Sequence, residues 1–231
     1  MKKLLFIFLL LVFCSNVFSQ IKKRSTNISV YTGIGYKFVF LTDPAARDAY
    51  PFFQLSKGDF LKELDGFFGV TINEKYAVEF SPAYLFTNSV SSDGFNFRDT
   101  FFLPQQTRLF ALPLNFRFKY FPFVKNYSSA ISKVYIGVGA GAIYVNEEIT
   151  NSLYRDNSRL NYIRAQTYKN NFWTSNYEIL LGINSFSKIG YGFELSYRFV
   201  PLNQPQTIPL ITSLAGNFNS ANFVANIVFT F

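Results

Sequence analysis

Residues 217–231 read Asn-Phe-Asn-Ser-Ala-Asn-Phe-Val-Ala-Asn-Ile-Val-Phe-Thr-Phe. Counting back from the end in twos, Phe231, Phe229, Ile227, Ala225, Phe223 and Ala221 are all apolar. Of the six residues between them, Thr230, Asn226, Asn222 and Ser220 are polar. A period of two over this length is a β-strand with one apolar and one polar face. As a soluble edge strand it would invite aggregation. In a transmembrane barrel the strand is closed against partners and its apolar face meets lipid.

Composition points the same way. Aromatic residues make up 20% of the 231 residues and charged residues only 16%, well below the usual quarter. That much aromatic surface exceeds what one β-domain hides in a core, so a second apolar environment is implied.

The beginning of the chain names a compartment. Lys2 and Lys3 precede an apolar run from Leu4 to Cys14, and Val17-Phe18-Ser19 is an acceptable cleavage site before Gln20. This is the pattern of a secretory signal peptide over 1–19, leaving 20–231 as one barrel domain. Lipidation at Cys14 is the competing reading, but Phe13 stands where a small residue is needed. No later apolar run reaches the roughly 18 residues of a membrane helix. Cleavage removes the only cysteine and brings the net charge from +8 to +6. The remaining basic residues are scattered, which gives no footprint for nucleic acid and suits anionic headgroups at a membrane edge.

Seven further alternating segments are expected at 28–40, 60–72, 76–86, 110–119, 133–145, 177–184 and 191–199. With the closing stretch they make an all-β, eight-stranded antiparallel up-and-down transmembrane barrel, and ten strands if the weakly alternating 160–168 adds a hairpin. Pro82 lacks a ladder donor and is expected to mark a bulge. Connections alternate short and long, so 41–59, 88–107, 146–172 and 201–216 are the expected outer loops. Loop aromatics such as Tyr50, Phe52, Phe53, Phe95, Phe97, Phe101 and Phe102 either pack a cap or meet an outside partner.

The chain resembles small Gram-negative outer-membrane β-barrels, most closely the PorT-like domain. The likeness lies in the signal peptide, in Phe110-Ala111-Leu112-Pro113-Leu114, in Tyr135-Ile136-Gly137-Val138-Gly139-Ala140-Gly141, and in the terminal Phe231. It implies outer-membrane lipid and the barrel-insertion machinery as partners, with Phe223, Ile227, Phe229 and Phe231 as the assembly signal. An envelope or extracellular protein at the four loops is a further expected partner.

Histidine is absent, which excludes the histidine-dependent mechanisms of outer-membrane proteases, phospholipases and acyltransferases. The expected protein is not an enzyme. No cofactor or metal is expected either, since nothing matches the spacing of zinc or calcium ligands. Gly137, Gly139 and Gly141 share one strand face, unlike a phosphate-binding loop.

The expected inward charges are Lys37, Glu63, Asp65, Glu79, Arg117, Lys119, Glu178, Glu194 and Arg198. A barrel of eight strands has room inside only for side chains, so these should pair into a salt-bridged plug. A small-solute or ion channel is the alternative, and a soluble lipocalin-like binder a third.

Overall fold

The computed structural model describes residues 27–44, 62–89, 94–124, 130–203, 210 and 215–231; the expected signal peptide lies outside them. The strands are β1 (Ile28–Leu41), β2 (Lys62–Ile72), β3 (Tyr76–Ser89), β4 (Phe95–Phe97), β5 (Thr100–Tyr120), β6 (Val134–Tyr154), β7 (Tyr162–Asn184), β8 (Ile189–Phe199) and β9 (Ser220–Thr230). All but β4 form a ring in chain order, closed by antiparallel pairing of β1 with β9. Strand β4 is a short flap on β5. The fold is thus the expected eight-stranded up-and-down barrel.

The β2–β3 connection shows how local chemistry fixes register. Asn73 and Glu74 take positive φ of 54° and 56°, and the Lys75 amide donates to the Ile72 carbonyl at 3.1 Å. This is a β-turn with two left-handed central residues inside a three-residue loop, as Ile72 pairs with Tyr76, and its twist matches that of the strands it joins.

Three expectations change. First, 146–172 is largely strand: β6 runs to Tyr154 and β7 starts at Tyr162. The hairpin lengthens two ring strands and adds none, so the ring has eight strands, not ten. Second, much of 88–107 is also strand, as β3 reaches Ser89 and β5 begins at Thr100. Third, Pro82 makes no bulge. The β2–β3 register is the same at Asp65↔Ala83 and at Phe68↔Phe80, with only the pairs between them missing. A proline removes one donor without shifting the chain. The register shifts fall instead at Pro104/Gln106 and Leu153/Tyr154, in the elongated wall. The expected loops 41–59 and 201–216 lie mostly outside the described residues.

Outward side chains form an exposed apolar belt to which every ring strand contributes, including Ile34, Leu64, Val78, Phe116, Val138, Ile179, Leu195 and Phe223. One aromatic row, Tyr84–Phe110–Tyr144–Trp173, bounds it with ring centroids 5.3, 6.1 and 5.3 Å apart. At the other end Tyr76 stacks on Tyr120 at 5.5 Å, with Lys75 over both rings. Phe110 and Tyr120 are ten residues apart on β5, about 33 Å along a strand and about 25 Å upright at a tilt of ~40°.

The lumen is layered. At the turn end, buried Tyr31, Phe67, Phe121, Tyr135, Leu180 and Val228 pack together. At the loop end, Val39, Leu85, Leu109, Val145, Ile149, Leu202, Leu210 and Phe218 form a second apolar layer, with Tyr168 and Phe172 against it. Tyr168 also meets the ring of the buried Phe102, while Phe101 is buried too. Tyr50, Phe52 and Phe53 lie outside the described residues, and the side chains of Phe95 and Phe97 are not described.

Candidate functional site: a charged layer inside the barrel

Strand alternation delivers the charges between the two apolar layers. β1 supplies Lys37, β2 Glu63 and Asp65, β3 Glu79, β5 Arg117 and Lys119, β7 Glu178, and β8 Glu194 and Arg198. All nine are 3% exposed or less. β6 contributes space instead: a Cβ on Gly139 would lie 3.2 Å from Cγ of Arg117 and 3.4 Å from Glu178, and one on Gly137 would lie 3.3 Å from Cγ of Lys119. The glycine run thus leaves room for long cations on the neighbouring strand.

Arg117 is the hub, with Nε donating to Glu178 at 2.8 Å and Nη1 reaching Asp65 at 3.1 Å and Glu79 at 3.4 Å. Arg198 donates to Glu63 through both terminal nitrogens and to Glu178 through Nε at 3.1 Å. Lys119 meets Glu79 at 2.9 Å and Glu194 at 3.5 Å. Lys37 sits 2.8 Å from Glu63 and 3.3 Å from Asp65, held by charge more than by an aligned hydrogen bond. Each of these five carboxylates therefore has a cation within 4 Å, as burial demands.

Uncharged partners were not legible in the sequence. Tyr31 donates to Glu79 at 3.1 Å, Tyr135 to Glu194 at 2.6 Å and Ser81 to Asp65 at 2.5 Å. Asn176 on β7 donates to Asn115 on β5 over the intervening Gly141 of β6 at 3.0 Å. Glu147 is a sixth buried acid, assigned to a loop in the sequence reading. Its signal was the alternation of Glu147, Ile149, Asn151 and Leu153 with exposed or half-buried neighbours.

The expected assembly residues occupy the outer face of β9: Phe223, Ile227 and Phe229 are each about a third exposed, and Phe231 is 80% exposed. The Phe231 amide still donates to Val30 at 2.9 Å, so backbone pairing continues to the last residue. On the exposed tip joining β6 to β7, the Ser158 hydroxyl and amide bond to Asp156 and hold its carboxyl below the usual carboxylate range.

No family model matches the sequence, and no curated protein does. Among solved structures the chain is similar to Ail, the attachment invasion locus protein of Yersinia pestis, in complex with the heparin analogue sucrose octasulfate. The identity is 10%, over 90% of this chain and 100% of that one, with a TM-score of 0.39. It is similar also to Neisserial surface protein A, at 9% identity over 90% and 100% with a TM-score of 0.42. A third is the outer membrane protein OprG from Pseudomonas aeruginosa, at 11% identity over 88% and 95% with a TM-score of 0.42.

Proposed function

We propose that this chain is a non-enzymatic integral protein of the bacterial outer membrane, with a plugged lumen and surface loops that engage a partner. The observation that supports it best is the apolar belt. All eight ring strands expose aliphatic and aromatic side chains between two aromatic rows, and the spacing of about 25 Å matches the apolar band of outer-membrane barrels. In water such a surface would aggregate.

The plug is supported by layering. An ion crossing the lumen would have to displace an apolar layer, a network of interlocked opposite charges, and a second apolar layer. That arrangement favours the plug over the channel. It also argues against a lipocalin-like binder, whose apolar face turns inward around a cavity. With no histidine in the sequence, the charged layer lacks the usual general base.

The short turns and both ends of the described chain lie at one mouth, and the tall β5–β6–β7 wall rises from the other. In outer-membrane barrels short turns face the periplasm, so the wall and the long loops face outward. The finer PorT-like placement rests on segments 110–114 and 135–141 and on Phe231.

Membrane fractionation followed by proteolysis of intact cells tests the reading. The expected result is retention in the outer membrane, with a gel shift between unheated and boiled samples and cleavage confined to the loop end. Recovery in the soluble periplasmic fraction would overturn it.

A further inference from the structure

Strand β7 outruns one of its neighbours. It spans Tyr162–Asn184 and pairs with β6 up to Tyr162, but its pairing with β8 stops at Tyr177↔Phe199. Two steps further the register brings Ser175 opposite Pro201, which has no N–H to donate. Pro201 bridges to Asn217 instead and accepts the Thr174 hydroxyl at 2.6 Å.

An antiparallel strand turns the N–H and C=O of one residue to one side and those of the next to the other. The Ser185 amide donates to Tyr191 at 3.1 Å, which in this register aims the odd-numbered residues of β7 toward β8. Beyond Ser175 these are Trp173, Asn171, Lys169, Thr167 and Ala165, all with exposed side chains. Their backbone groups on that side meet no strand among the described residues, which leaves an open edge about 27 Å long. Edges of that length are normally blunted by proline, a bulge or charge. No proline occurs between Tyr162 and Asn176, the register shift lies at the tip, at Leu153/Tyr154, and Lys169 is drawn back over its own sheet to Glu148 at 2.9 Å.

We propose that this edge takes up an extended segment of an extracellular protein as an added strand. A second copy of the chain does not fit. Two barrels upright in one membrane and related by a two-fold along its normal lean β7 to opposite sides, so at a tilt of ~40° the two edges cross at about 80°. The side chains name the chemistry of the segment. Half-buried Tyr168 and Phe172 share the inner face, while residues 162–176 include Arg164 and Lys169 and no acid. Arg164 has no ion-pair partner among the described residues. A segment alternating aliphatic residues with hydroxyl-bearing and acidic ones complements both features. The inference rests on the reading that the loop end engages a partner, and it names the place and the geometry.

The test uses the full chain in lipid nanodiscs and a nine-residue peptide alternating valine with threonine and glutamate, with backbone amide exchange read by NMR. Saturating peptide should slow exchange several-fold at Thr167, Lys169 and Asn171 and leave Tyr168 and Asn170, whose amides face β6, unchanged. The same peptide N-methylated at alternate residues should have no effect. Thr167→Pro removes an outward amide without touching the β6 ladder and should weaken binding several-fold, provided its gel shift on heating is intact. Arg164→Glu gives an independent reading: weaker binding of the acidic peptide, restored when lysine replaces its glutamates. Slow exchange at the three odd residues in the free chain would mean that the chain itself covers the edge, and would overturn the proposal. Exchange unchanged by the peptide, or undiminished binding in both variants, would overturn it too. The assay does not depend on which way the barrel faces in cells, so its failure removes this edge alone, and fractionation with surface proteolysis still decides the barrel's location.

Discussion

Arg198 and Glu63, 135 positions apart in the chain, join β8 to β2 across the lumen through two N–H···O bonds of 2.7 Å each. Two strands, β9 and β1, separate them around the ring, so the pair braces the barrel from within. Removing one member leaves the other buried and short of its partner, which typically costs about 3–5 kcal/mol. Glu63→Ala and Arg198→Ala should each lower the urea-unfolding free energy of the refolded barrel by that order. The double variant Glu63→Leu/Arg198→Met should lose much less than the two single losses added together. Additive losses would mean that the pair is not coupled.

The only tryptophan, Trp173, sits in the loop-end aromatic row, 56% exposed. In bilayers its fluorescence should be quenched strongly by headgroup-level quenchers and weakly by quenchers at the acyl-chain ends. Ile179, six residues further along β7, faces the middle of the belt. Ile179→Lys should destabilise the barrel by about 2–4 kcal/mol, the usual depth-dependent cost near a midplane, while Thr167→Lys beyond the row should cost almost nothing. Equal costs at the two positions would put the membrane elsewhere.

Glu74 holds φ at +56°, a conformation costing a non-glycine residue about 1–2 kcal/mol. Its side chain makes one exposed 3.3 Å bond with Asn27 in return. Glu74→Gly creates an Asn-Gly turn of the kind such hairpins prefer and should raise the unfolding midpoint, whereas Glu74→Val should lower it. The reverse order would show that the Asn27 bond outweighs the backbone term.

Much of the fold was legible because a barrel strand with one apolar outer face must alternate at every step. Eight segments with the correct faces follow from that one constraint, as do nine inward charges but not Glu147. The elongated wall was not legible. Above Trp173 polar Thr150, Ser152 and Thr167 replace the apolar outward residues, while the buried inner face mixes Glu147 and Asn151 with Ile149 and Leu153, so the period loses contrast. The apolar layers were missed for the opposite reason: Val39, Leu85, Ala111 and Val145 are inward on strands whose inward face had been read as polar. Pro82 looked like a register defect because its missing donor is visible in sequence, whereas the unbroken pairing on both sides of it is not.

The last residue offers a test in cells. Phe231 is 80% exposed and is tied to the sheet by its amide bond to Val30, so deleting it should barely alter stability after refolding in detergent. If the end of β9 is read by the insertion machinery, the same deletion should strip most of the protein from the outer membrane. Deleting 155–161 at the wall's tip should spare assembly. Normal assembly without Phe231 would remove the assembly-signal reading and leave the barrel itself intact.

The two apolar layers and the charge network between them make a prediction about current. In planar bilayers the purified barrel should show no stepwise conductance, because each layer alone excludes hydrated ions. Thinning one layer is not enough: Phe121→Ala at the turn end or Phe218→Ala at the loop end leaves the other layer and the charge network in place. Both variants should therefore stay silent, with modest losses of stability. Removing charge is the more informative change, since Arg117→Ala takes one cation each from Asp65, Glu79 and Glu178 and leaves them Lys37, Lys119 and Arg198 in turn. The network's carboxylates then outnumber its cations further, and buried charge short of partners draws in water, so this variant should become permeable or lose stability relative to the parent. Discrete steps from the unaltered barrel would sink the plugged lumen and leave the channel reading standing.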